Sequence, residues 1–513
     1  MTSALTEIWL WRCLVLAALL LSDEVVAAVS SLTTAPPPSS ECRVVVEAGP
    51  ASIVFFVVTP SEGDMNDFVV SSPLPMISRG LHTLAPEDAY SHLKEALHEL
   101  SARHMDERLR PECPLYIIGT SGMRELSEAR QSDIYDAIFA SYAADASVNS
   151  LPPLERSHLR TLSEDEQNYF LMVAANFLDK RVGKDMQPTS VQVYGVLDLD
   201  PSSFRISMDI EQRWRHSARK KSYRLSPLQQ SEFFVHTFAN TGTSAIHDQV
   251  QHAVEATNRT HNPCLFAGSP APFVSQTSEG SPTVVAGDGP ACMALIESIV
   301  ATGNENCTKG EHCVLLSYEQ PHATGTFYAV HDWFQMASLA NTVVAATHPS
   351  LQLDLPTPSR YELEKAANAV CGLSFQVVST ALLDPTKHDE ASSAAAKASA
   401  PWTCLNLCYI AVLLKQLGLT DAERRILYVQ SIHDRPVHWV FGAHLKMESD
   451  RRVVYEAALG EYLSMQVERG LPVGYNLSLL VLAFALLTLY LLVHRASGRD
   501  GTHALLFVHD TTQ

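Results

Sequence analysis

Four short stretches of this chain carry residue types suited to phosphate chemistry. Glu47-Ala48-Gly49 closes a run of valines, Gly119-Thr120-Ser121-Gly122 closes a second apolar run, and Asp198 sits at the end of a third. The fourth, Glu164-Asp165-Glu166, opens an amphipathic segment. Carboxylates at two facing strand ends can hold a hydrated divalent cation, and small-residue turns can aim N–H groups at phosphate. A glutamate on a third element can deprotonate an attacking water, which needs no covalent intermediate. Each feature alone also has a structural reading, because strand-end carboxylates cap turns and acidic residues complement a helix N-terminus. The turn after Asp198 is unusual. Asp200-Pro201 adds a second negative charge and a residue without an N–H, where glycine would let a phosphate approach.

Strands and helices must position these groups. Residues 42–50 and 52–58 read as a hairpin, residues 87–108 as a helix, and 115–119 as a buried strand running into a helix start. Residues 164–180 read as a helix capped by Ser163. The Tyr194–Phe204 stretch and the strand after it mirror the first hairpin, so strand, carboxylate and turn occur twice. The alternation of strands and helices predicts an α/β protein.

At 513 residues, with 46% hydrophobic residues, two lobes are expected. The net charge of −19 argues against nucleic acid as a partner, since phosphate backbones need basic surface. Residues 1–29 contain an apolar run and read as a signal peptide or signal anchor. A Ser/Thr/Pro linker follows over 30–41. Residues 471–493 carry no charge and are long enough to cross a bilayer, and the basic residues after them predict a cytosolic tail over 494–513. The body would then be lumenal or extracellular and the protein membrane-embedded. Beyond Cys13, nine cysteines remain; in an oxidising compartment most pair, and the odd count leaves at least one over. Asn258 and Asn306 stand in glycosylation sequons.

The order VVVEAGPAS, YIIGTSGMREL, SEDEQNYFLMVAANFL, YGVLDLDPSSF resembles the four N-terminal conserved regions of the apyrase family, the nucleoside triphosphate diphosphohydrolases that include ecto-apyrases and Golgi nucleoside diphosphatases. FVHTFANTG, NPCLFAG, the 313–334 stretch, WTCLNLCYIAVLL and HWVFGAHL continue the resemblance in order over roughly 42–446. It implies two ribonuclease-H-like lobes, akin to actin and the sugar kinases, with an active site in the cleft between them. The lobes would span 42–162, completed by 446–468, and 163–445. It also implies hydrolysis of nucleoside di- and triphosphates with Ca2+ or Mg2+. Glu47 and Asp198 would hold the metal through water, and Glu166 would act as base. Gly49, Ser52, Thr120, Ser121, Gly122, Arg124 and Ser203 would hold phosphate. Trp439 matches an aromatic of the last region, although from the residues a core tryptophan is the favoured reading. The resemblance implies disulfides Cys264–Cys313 and Cys371–Cys404, with Cys292–Cys307 as a third.

Several positions depart from the family pattern. Glu47 stands for an aspartate, Pro50-Ala51 for two hydroxylated residues, Asp200-Pro201 for two glycines and Arg205 for a glutamine. The third region has two registers. Aligning on Tyr169 makes Glu166 the base and needs no gap; aligning on Asn176 places Gln167 there, and an amide cannot take the proton. The alternative to hydrolysis is therefore a catalytically impaired ectodomain of the same fold that binds nucleotide or a protein partner. A membrane-anchored adhesion ectodomain without nucleotide function would share the composition but gives no reason for the four stretches.

Overall fold

The computed structural model describes residues 42–468, except 62–63, 109, 211–221, 226–231, 258–260, 271–286, 302–314, 319, 383–395 and 420–421, together with 485–486 and 488–489. Residues 41–449 form one compact unit. It contains two mixed sheets. The first comprises β1 (Arg43–Ala48), β2 (Ser52–Ser61), β3 (Asp64–Ser71), β4 (Ile77–Ser78), β5 (Leu115–Gly119) and β6 (Leu154–Thr161), in the order β3-β2-β1-β5-β6 with β4 on β2. The second comprises β7 (Gly195–Leu199), β8 (Ser203–Asp209), β9 (Ser222–Tyr223), β10 (Phe233–Ala239), β11 (Phe327–His331) and β12 (Ile426–Tyr428), in the order β12-β11-β7-β8-β10-β9. A short hairpin, β13 (Ser431–Ile432) and β14 (Arg435–Pro436), precedes the last helix.

Reversed, the second order reproduces the first. β7 takes the place of β1, β8 that of β2, β10 that of β3, β11 that of β5 and β12 that of β6. The directions agree too: β1 is antiparallel to β2 and parallel to β5, as β7 is to β8 and β11. The repeat expected from the two strand-carboxylate-turn stretches is therefore a repeat of whole sheets. β1 and β7 are central strands. Each is apolar almost throughout because both of its faces are covered, and each delivers one carboxylate, Glu47 or Asp198, near its C-terminal end.

The helices are α1 (Pro86–Arg103), α2 (Ser121–Arg124), α3 (Glu128–Ala143), α4 (Glu164–Leu178), α5 (Thr243–Ala256), α6 (Gly289–Ala301), α7 (Asp332–Thr347), α8 (Arg360–Cys371), α9 (Phe375–Leu382), α10 (Thr403–Gln416) and α11 (Trp439–Glu468). α1 and α3 cover the outer face of the first sheet, and α5 to α10 that of the second. Between the sheets lie α4 and the first turns of α11, packed on Val45, Phe56 and Ile118 from one side and Val196, Val235 and Val330 from the other. A helix covered on all sides must be apolar all round. In α4 every residue from Asn168 to Leu178 is buried. Its polar start is held by a capping box in which Ser163 and Glu166 bond each other's backbone N–H.

The same rule explains Ala396–Gln416, the one described helix apolar and long enough to cross a membrane. It is 72% buried inside the molecule and is the central core helix of the second lobe. Residues 1–29, nearly all of 471–493, Asn258, Asn306, Cys307 and Cys313 lie outside the described residues.

Three disulfides occur among the described residues. Cys42–Cys113 ties the starts of β1 and β5, and Cys371–Cys404 joins α8 to α10. The third is Cys264–Cys292, which replaces both Cys264–Cys313 and Cys292–Cys307. The cause is local: the Asp288 N–H bonds the Pro263 carbonyl at 2.8 Å, which lays the 262–264 turn against the first turn of α6. Among the described residues Cys408 is a free thiol, and it is buried.

Candidate active site

At the end of β7, Asp198 is fully buried and both of its oxygens are engaged. Oδ2 accepts from Arg205 Nη1 at 2.6 Å, and Oδ1 lies 2.6 Å from His331 Nδ1. Register explains the convergence, since Asp198 faces Arg205 on β8 and Val330, the neighbour of His331, on β11. Burial favours the neutral acid, but His331 and the Arg205 guanidinium outweigh it and pull the Asp198 pKa down to about 2. His331 adopts φ 55°, ψ −121°, a conformation that non-glycine residues seldom enter, at the N-cap position of α7, where its side chain makes no capping bond.

Asp200 fills its own turn. Its Oδ1 accepts from the Ser202 and Ser203 N–H groups at 2.7 Å each and from the Ser202 hydroxyl at 2.9 Å, while Oδ2 pairs with Arg205. The N–H donors that a phosphate would seek in this turn, Ser203 among them, are thus taken by a side-chain carboxylate. The Asp200 and Pro201 carbonyls accept from Thr243 and Ser244 at the head of α5. Gly242 permits that docking: a Cβ there would lie 2.3 Å from the Ser202 and Ser203 nitrogens.

The first lobe repeats the pattern with other partners. Glu47 Oε1 accepts from Trp439 Nε1 at 2.9 Å, and Oε2 lies 3.3 Å from His438 Nε2. Burial raises its pKa, yet the bonds to His438 and Trp439 outweigh this and leave it lowered. Trp439 is therefore a core tryptophan that also fixes Glu47. The β1–β2 turn is tight, with the Gly49 N–H on the Ser52 carbonyl at 2.9 Å. Thr120 gives its N–H to the Ala48 carbonyl at 3.0 Å, so Ser121 and Gly122 supply the leading N–H groups of α2. A Cβ on Gly122 would lie 2.6 Å from His82 Nδ1 and 2.9 Å from the Pro50 Cα, which brings His82 and the β1–β2 turn against α2. His82 Nδ1 is buried with no partner.

Arg124 reaches across to α4. It donates to the Leu162 carbonyl at 2.9 Å and to Gln167 Oε1 at 3.2 Å, with Glu164 at 3.7 Å. Glu166 points elsewhere: Arg160 Nη1 donates to it at 3.0 Å, and the capping box holds its other oxygen. Burial raises its pKa, but Arg160 and Ser163 lower it further. Burial is the main cause of the lowered Arg124 pKa, to which the Arg205 charge adds, and His331 adds to the lowering of Glu47 by His438 and Trp439, so charges of the two lobes act on one another.

Residues 41–461 match the sequence profile of the GDA1/CD39 (nucleoside phosphatase) family. The chain belongs to that family. It is 23% identical to ectonucleoside triphosphate diphosphohydrolase 8 of Mus musculus over 323 residues, 57% of this chain and 63% of the relative. It is 21% identical to ectonucleoside triphosphate diphosphohydrolase 7 of Homo sapiens over 415 residues, 72% of this chain and 65% of the relative. The chain thus spans a little under two thirds of each. Among solved structures, a nucleoside triphosphate hydrolase from Neospora caninum has the same fold, with a TM-score of 0.54, 13% identity, and coverage of 84% of this chain and 97% of that one.

Membership of the GDA1/CD39 family implies a divalent cation, and the residues present can be tested against one. All four oxygens of Glu47 and Asp198 already have donors. A divalent ion about 4 Å from the fixed Arg205 charge would meet a repulsion of roughly 8 kcal/mol at an effective dielectric of about 20, which offsets the attraction of about one carboxylate at that distance. The donor set does not fit a cation held between these carboxylates.

His331, His438 and His82 were not singled out in the sequence. His331 had a readable signal: in the repeat it ends β11 as Gly119 ends β5, one step before a helix. His438 and His82 had none, since His82 lies in a short turn after β4 and His438 just before α11, and only the fold brings them to the site.

Proposed function

We propose that this member of the GDA1/CD39 family binds nucleoside di- and triphosphates between its two lobes and releases phosphate from them slowly. The observation that supports this reading is the family match over residues 41–461, and the β1–β2 turn packed against Thr120–Gly122 in the first lobe agrees with it. Phosphate would lie on Ser121 and Gly122, beside Arg124. Glu166 would take the proton from water after leaving Arg160, and its lowered pKa makes it a weak base. A second reading, binding without turnover, is favoured by two observations: the α4 side chain that accepts a hydrogen bond from Arg124 is the amide of Gln167, and Asp200 fills its own turn. The three disulfides support a body facing a lumen or the cell exterior. A membrane anchor is proposed from residues 471–493.

The full-length protein, purified in detergent, is assayed for phosphate release from a panel of nucleotides and for nucleotide-dependent thermal stabilisation. Release that drops at least about 100-fold in Glu166→Gln supports hydrolysis with this base. Stabilisation without release selects the second reading. Neither signal with any nucleotide overturns both.

A further inference from the structure

We propose that the site carries its own cation: Arg205 stands permanently where a divalent metal would sit, and nucleotide handling is independent of divalent ions. The inference rests on the proposed nucleotide site. Four observations lead to it. The Arg205 guanidinium bridges two carboxylates, donating to Asp198 at 2.6 Å while pairing with Asp200. Both Arg205 and Asp198 are buried, 5% and 0% exposed, so neither charge is screened by water and each needs the other. The remaining Asp198 oxygen is held by His331, and the facing Glu47 is closed by Trp439 and His438. Finally, an arginine keeps its charge at any working pH, so the positive charge is fixed by this chain's own sequence.

A guanidinium differs from a divalent ion in ways that matter for the ligand. It carries one charge instead of two, cannot be removed by a chelator, and presents a planar fork. It therefore pairs with the buried Asp198 and the partly exposed Asp200 without leaving an open coordination position. The substrate class that follows is a nucleoside phosphate free of metal, with its charge met by Arg124, since Arg205 is already paired with Asp198 and Asp200.

Three measurements on the full-length protein test this. The first titrates Mn2+ alone and follows bound ion by electron paramagnetic resonance. No saturable site is expected in the wild type up to millimolar ion. Arg205→Gln frees Asp198 and Asp200 and is expected to gain a site at least about tenfold tighter than any in the wild type. The second compares phosphate release and nucleotide-dependent melting shifts in chelator and in millimolar Mg2+, with a change of less than about twofold expected. The third repeats both with Arg205→Lys, which keeps the charge and is expected to behave as the wild type in metal binding. Should Arg205→Gln fail to fold, the wild-type Mn2+ titration decides alone. Saturable Mn2+ binding by the wild type that Asp198→Asn removes overturns the inference, as does nucleotide handling that stops in chelator and returns with metal. Absence of any nucleotide signal would sink the nucleotide site instead, while the Mn2+ arm still reports on Arg205.

Discussion

Glu166 and Gln167 are adjacent in sequence, and their side chains keep different company. Glu166 completes the α4 cap and pairs with Arg160, while Gln167 meets Arg124. Gln167→Glu places a carboxylate beside Arg124 without disturbing the cap. It is expected to raise the rate of phosphate release at least about tenfold, since a positioned general base contributes roughly 10²–10⁴. Initial rates for the wild type and the variant check this. An unchanged rate in Gln167→Glu, together with loss of release in Glu166→Gln, would mean that Glu166 alone can serve as base. Much of this scale was legible in the sequence, because Glu47, Asp198 and Thr120–Arg124 sit at strand ends that periodicity alone locates. What those carboxylates bond to was not. Trp439 and His438 lie nearly 400 residues from Glu47, and His331 lies 133 from Asp198. Only the folded register brings them together.

Helix α4 depends on one close crossing. Gly442 in α11 packs so tightly on α4 that a Cβ would lie 1.9 Å from the Phe170 carbonyl oxygen. On helix propensity alone, Gly442→Ala would stabilise by about 1 kcal/mol. Contact with backbone that cannot move aside reverses the sign, and a net loss of about 1–3 kcal/mol is expected. Chemical unfolding of the two proteins checks it, and a more stable variant would contradict the crossing. The elements were legible to differing degrees, for physical reasons. Ser163 followed by an acidic turn announces α4, and the β1–β2 hairpin shows in its valines and its Gly-Pro turn. α10 misleads, because a helix buried on every side has the composition of one buried in lipid. The Cys264 pairing was equally hidden, since it follows from how one loop lies on α6.

The compact unit is closed by a contact between its two ends. Arg43, the first residue of β1, donates to His444 Nδ1 at 2.8 Å, to the His444 carbonyl at 3.3 Å and to Glu448 at 2.7 Å, 401 to 405 residues along the chain. His444 is 1% exposed, and its Nε2 has no partner. Burial, then the charges of Arg43 and Lys184, hold its pKa well below the usual value of 6.5. In the folded protein the ring stays neutral, with Nδ1 as acceptor, whereas in the unfolded chain it takes a proton below pH 6.5. The unfolded state therefore binds more protons in that range, and stability falls as the pH falls. The limiting slope for one such group is about 1.4 kcal/mol per pH unit. Little change is expected between pH 8 and about 7, and a progressive loss from about pH 6.5 to 5. His444→Gln keeps an acceptor for Arg43 and cannot titrate, so its unfolding free energy is expected to lose about one proton's worth of that slope. Denaturant titrations of both proteins at several pH values between 5 and 8 measure the difference. Parallel curves would mean that the acid sensitivity arises elsewhere, and that the Arg43–His444 contact tolerates a charged ring.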